Sequence, residues 1–108
     1  MYDDNQTHLP DSFIAVFVPP GRTKPNATRA HIATRYELCE DMAQLLVDHA
    51  STKLFELGVT ELDVLERVHR GLLVDGSVVE PLEARWVIRR LAELLNWPAP
   101  DLANAAES

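Results

Sequence analysis

Residues 28–58 read TRAHIATRYELCEDMAQLLVDHASTKLFELG, and their spacing decides the fold. Ile32, Tyr36, Cys39, Ala43, Leu46, Ala50, Leu54 and Leu57 recur at alternating steps of four and three, which sets them in one stripe along an α-helix. Leu38, Met42 and Leu45 widen that stripe and predict a helix buried on two sides. Asn26, just after Pro25, is the expected cap at its start, and Gly58 the expected left-handed stop. The pair Ser51-Thr52 offers a point of breakage. The stripe keeps its phase through that point, so a single helix, straight or bent, is favoured. At 1.5 Å per residue it would span about 45 Å.

Towards the C-terminus, Thr60 has the character of a helix cap. Asp63 stands where a capping-box acid would, and Val59 can staple onto Val64. The helix that follows runs to about Leu73 with Leu62, Leu65, Val68, His69 and Leu72 on its apolar face, while Asp63 to Arg67 and Glu66 to Arg70 form favourable pairs on the wet side. Asp75-Gly76-Ser77 turns the chain. A last helix then starts on either Ser77 or Glu80, takes Pro81 in its first turn, carries Ala84, Val87, Ile88, Leu91, Ala92 and Leu95 as its stripe, and closes at Asn96 and Pro98. Trp86 lies off the centre of that stripe, beside Arg85, Arg89 and Arg90.

Towards the N-terminus, the run SFIAVFV (residues 12–18) fits a strand by its β-branched and aromatic content and a helix by Pro10 and the Phe13, Val16, Phe17 spacing. A lone strand would have no partner elsewhere in the chain, so a helix is favoured. The expected fold is therefore all-α: a small bundle of three or four helices with one long central helix. Its expected extent is a single domain over residues 9–97, between a disordered N-terminus (1–8) and a flexible C-terminal tail (98–108).

Composition narrows the function classes. A chain of 108 residues supports one domain able to fold without disulfides or metal. The longest apolar run, Phe13 to Pro20, is far shorter than the roughly 20 residues a membrane helix needs. The opening MYDDNQTHLP carries two acids and no base, the wrong sign for a secretory signal, and the single Cys39 forms no internal disulfide. These features predict a cytoplasmic protein without membrane contact. A net charge of −7 disfavours nucleic acid as a partner. One basic island interrupts it: Arg22, Lys24, Arg29 and Arg35 fall in a segment without acids between Ser12 and Tyr36. It is either a solvated loop or a contact for an acidic or phosphate-bearing partner.

Within that island, residues 18–25 read VPPGRTKP. Pro19, Pro20, Gly21 and Lys24 fall on the spacing of a Walker A loop of the kind found in AAA-type ATPases. Val18 and Thr23 nevertheless stand where two glycines would let the backbone wrap phosphate, and Pro25 replaces the hydroxyl that would hold magnesium. Leu72-Leu73-Val74-Asp75 has the outline of a magnesium-organising strand but sits at a predicted helix end. The expectation is a turn, with no cofactor and no ATPase activity.

The strings RYELCEDMAQLL (35–46), VTELDVLERVHRGLL (59–73) and WVIRRLAELLNWP (86–98) resemble a group of short uncharacterised bacterial proteins, some carrying the automatic product name "ATPase with chaperone activity". The resemblance covers most of residues 12–98 and implies no catalytic residues.

Other constellations have a structural and a functional reading. Glu66 and His69 form a Glu-x-x-His, the spacing by which one helix offers two ligands to a di-iron centre; one copy is present, so a metal-binding helical protein is the alternative rather than the expectation, and no metal site is assigned. Cys39, on the apolar stripe, reads as a buried thiol. Glu37, Glu40 and Asp41 form an acidic cluster: a solvated helix edge, or a dock for the basic island of another copy. Either Trp86 completes the core and Arg89 pairs with Glu93, or Arg85, Trp86, Arg89 and Arg90 anchor an interface. A helix-turn-helix over 60–96 with the last helix reading DNA is a further alternative. The expectation as a whole is a non-catalytic adaptor or interaction domain, monomeric or homodimeric, that binds a protein partner or a second copy of itself through Arg85, Trp86, Arg89, Arg90, Arg22 and Lys24.

Overall fold

The structure is a computed structural model and describes residues 8–100. Among them the secondary structure is entirely helical: α1 (Asp11–Ile14) continues into one 3-10 turn (Ala15–Phe17), followed by α2 (Arg29–Leu57), α3 (Glu61–Leu72) and α4 (Pro81–Leu95). This is a small all-α bundle with one long central helix. The expected loose ends lie for the most part outside the described residues. The chain divides into two compact units, Met1–Leu38 and Cys39–Ser108, with the division inside α2.

In the first unit the ambiguous opening run is helical. Pro10 acts as the cap residue rather than in the first turn, its carbonyl accepting from the N–H groups of Phe13 and Ile14 at 3.0 and 3.1 Å. Phe13 is fully buried. Its ring stands 5.6 Å from Phe17 and 5.5 Å from Tyr36, tilted by 58° and 66°, the inclined geometry aromatic pairs prefer. The Pro-Pro-Gly string is a turn. Arg22 N–H donates to the Pro19 carbonyl at 3.1 Å with Gly21 at φ +77°, as a type II turn demands of its third residue. Asn26 N–H then donates to the Phe17 carbonyl at 2.7 Å, which closes the loop. Because α2 starts at Arg29, its cap is Thr28 rather than Asn26, the Thr28 hydroxyl accepting from His31 N–H at 3.1 Å.

α2 runs unbroken through Ser51-Thr52 and ends at Gly58, φ +65°, as the stripe and the glycine predict. In the second unit its residue Ala50 meets Val64 and Leu65 of α3 and Ile88, Leu91 and Ala92 of α4 in one cluster. Two of the cluster's members, Ala50 and Ala92, are small, and both are buried. Burial on two sides is not what the structure shows: Leu45 is 78% exposed. α3 and α4 cover the Ala50 side of the helix and leave the Leu45 side open.

Thr60 caps α3, its hydroxyl accepting from Asp63 N–H at 3.1 Å, while the Asp63 carboxylate turns to Arg67 Nε at 2.8 Å instead of closing a box. Leu62, expected inside, is 42% exposed and Val64 is 1% exposed. Two residues apart on a helix is more than half a turn, so burying one excludes the other. Of the two caps open for α4, Glu80 is used: the buried Glu83 carboxylate accepts from Glu80 N–H at 2.8 Å, and Pro81 takes the first turn. Asn96 closes α4 in the left-handed conformation, φ 59°. Trp97 N–H returns to the Ala92 carbonyl at 2.9 Å and Asn96 N–H to Glu93 at 3.1 Å, a Schellman pair. That return packs Trp97 against the core cluster.

Candidate protein-binding groove

Residues of α2 and α3 line a groove of about 490 Å³. Leu46 and Leu57 of α2 and Val68 of α3 form part of its apolar floor, and His49, Lys53 and Arg67 stand along it. Asp and Glu are missing from its lining. On a chain of net charge −7 the lining thus presents cations, with their carboxylate partners set outside it. The cations keep donors to spare: Asp63 holds Arg67 through Nε, and Lys53 stands 3.8 Å from Glu56 in an exposed i,i+3 pair.

The arginine cluster named from sequence is split by the fold. Trp86 is 8% exposed and lies in the interior of α4 rather than on a surface. Arg90 is committed to a clasp. Its Nε and Nη2 donate to Glu40 Oε1 and Oε2 at 2.9 and 3.1 Å, and its Nη1 to Glu93 at 3.1 Å. Glu93 therefore pairs with Arg90, not Arg89. Hydrogen bonding from Arg90 holds the Glu40 carboxyl below its ordinary value of 4.5 against the opposing effect of burial. Arg89 is exposed and Arg85 half-buried, and Arg22 and Lys24 are exposed in the α1–α2 loop. Glu40 had read as part of a solvated acidic edge. No local pattern ties it to a residue fifty positions away.

Glu66 and His69 are likewise separated. Glu66 is exposed, whereas His69 is buried with its Nε2 lacking a hydrogen-bond partner among the described residues. Burial first, and the charge of Arg85 second, push the His69 imidazole below its ordinary value of 6.5. Among the described residues no group of three or more His, Cys, Asp and Glu side chains is placed to hold a metal ion. Cys39 is a buried thiol. No described helix is long and apolar enough to cross a membrane.

The groove itself escaped the sequence because Lys53 and His49 sit beside the apolar stripe of α2 and Arg67 beside that of α3. Only packing the two helices aligns them. No protein-family model matches the chain, and no curated protein or solved structure matches it either.

Proposed function

We propose that this chain is a non-catalytic protein–protein interaction domain that works in the cytoplasm. Its docking surface is the α2–α3 groove, which takes an amphipathic element of a protein partner or of a second copy. The observation that carries the reading is an apolar floor lined by Lys53, Arg67 and His49 and by no acid, on a strongly acidic chain. Leu45 and Phe55, left 78% and 90% exposed on the same unit, add apolar surface that a solitary domain gains nothing by displaying. Arg22, Lys24 and Arg89, all exposed, supply further charge for attracting a partner, whereas Trp86 is buried and Arg90 is held by Glu40 and Glu93.

A photo-crosslinking amino acid placed at Lys53 in the source cell tests this. Discrete protein adducts are expected there and not from the same group at exposed Glu66. Equal yields at the two positions would remove the groove from consideration.

A further inference from the structure

The face of α2 turned away from the core carries a second pattern. Asp41, Leu45, Asp48, Thr52 and Phe55 recur at steps of four, three, four and three, within an arc of about 80° that lies half a turn from Ala50. All five are exposed, Leu45 at 78% and Phe55 at 90%. The stripe offers two large apolar side chains, two carboxylates and no base. The groove offers the converse: an apolar floor of Leu46, Leu57 and Val68 beside His49, Lys53 and Arg67, and no acid. The two surfaces match in apolar content and differ in the sign of the charged side chains they present.

We infer that the occupant of the groove is the outer stripe of α2 from a second copy, an inference that rests on the interaction reading above. Leu45 and Phe55 enter the apolar floor while Asp41 and Asp48 meet Lys53, His49 and Arg67. Because the contact joins two different surfaces, each copy in a pair retains one stripe and one groove unfilled. Association is therefore head-to-tail and continues beyond two copies unless the rotation closes a ring. The overall charge of −7 opposes it, so complementarity at the contact must outweigh repulsion between whole molecules.

Sedimentation equilibrium on the full chain gives the test. Wild-type protein is expected to show a weight-average mass that climbs above 12.1 kDa as concentration rises into the range of about 0.1–1 mM, where weak contacts populate. A stripe variant, Leu45→Glu with Phe55→Glu, and a groove variant, His49→Glu with Lys53→Glu, change solvent-facing side chains and are each expected to stay at 12.1 kDa, a loss of at least about tenfold in affinity. Mixed, the two variants are expected to form a capped one-to-one pair, since one keeps an intact groove and the other an intact stripe. That restoration also shows both variants to be folded. A wild-type mass fixed at 12.1 kDa, or a mixture that stays at 12.1 kDa, overturns the inference. Either result alongside Lys53 adducts to a different protein leaves the broader interaction reading standing, whereas loss of those adducts removes both.

Discussion

Arg90 of α4 closes a two-point fork on Glu40 of α2, Nε to Oε1 at 2.9 Å and Nη2 to Oε2 at 3.1 Å, across fifty residues of chain. The Glu40 and Arg90 side chains are only 19% and 33% exposed, and Gln44 donates a further bond to Oε2 at 2.8 Å. Parallel charge-assisted bonds in a partly buried setting are stronger than an open surface pair. We expect Glu40→Gln and Arg90→Gln each to lower unfolding free energy by about 1–2 kcal/mol, with a coupling of about 1 kcal/mol in the double-mutant cycle. Chemical denaturation measures all four proteins; strict additivity would reduce the fork to two independent contacts.

The same fork sets an acid limit. Glu40 titrates below 4.5 when folded and at its ordinary value when unfolded, so the unfolded chain binds more protons as pH falls past that point. The stabilising contribution is complete well above pH 4.5 and is lost as pH drops through the folded value. Wild type and Glu40→Gln should converge in melting temperature as acid is added, having differed at neutral pH.

His69 predicts a loss at milder acidity. Its folded imidazole is held below 6.5, so beneath that pH the unfolded state takes up the proton first and stability declines until the folded group also titrates. Its Nε2, buried without a partner, adds a desolvation penalty in the neutral form as well. His69→Leu should raise stability by about 1 kcal/mol at pH 7 and by more near pH 5.5. A variant less stable than wild type at both values would mean that the imidazole contributes more by its packing and bonds than its burial costs.

Two glycines should respond to alanine with opposite sign. Gly58 holds φ +65° at the end of α2, where a Cβ is strained whatever the space around it, so Gly58→Ala should cost about 1 kcal/mol. Gly71 lies inside α3 without a positive φ and with open space at its Cβ position, so Gly71→Ala should stabilise by about 0.5–1 kcal/mol. Thermal denaturation of the pair checks the sign directly.

The loop at Gly21 predicts indifference to nucleotide. A site binding Mg-ATP at about 10 µM would add about 2.7 kcal/mol at 1 mM ligand and shift a domain of this size by several degrees. No shift in Tm is expected, with or without Lys24→Ala. A rise in wild type that Lys24→Ala abolishes would restore the phosphate loop.

Local spacing was enough to specify the long helix, its unbroken passage through Ser51-Thr52, the caps at Thr60 and Asn96, and the stop at Gly58, because each depends on residues within a few positions of one another. Leu45, Leu62, Glu40 and Trp86 were beyond its reach. An apolar side chain on a helix flank carries no mark of whether another helix will cover it, and a carboxylate carries no mark of a guanidinium fifty residues on. The crossing of α2, α3 and α4 made those choices: it covered one side of α2, carried Trp86 into the interior, joined Glu40 to Arg90, and aligned Lys53 with Arg67 along a groove. Periodicity dictates which way a helix faces, and only packing dictates what it faces.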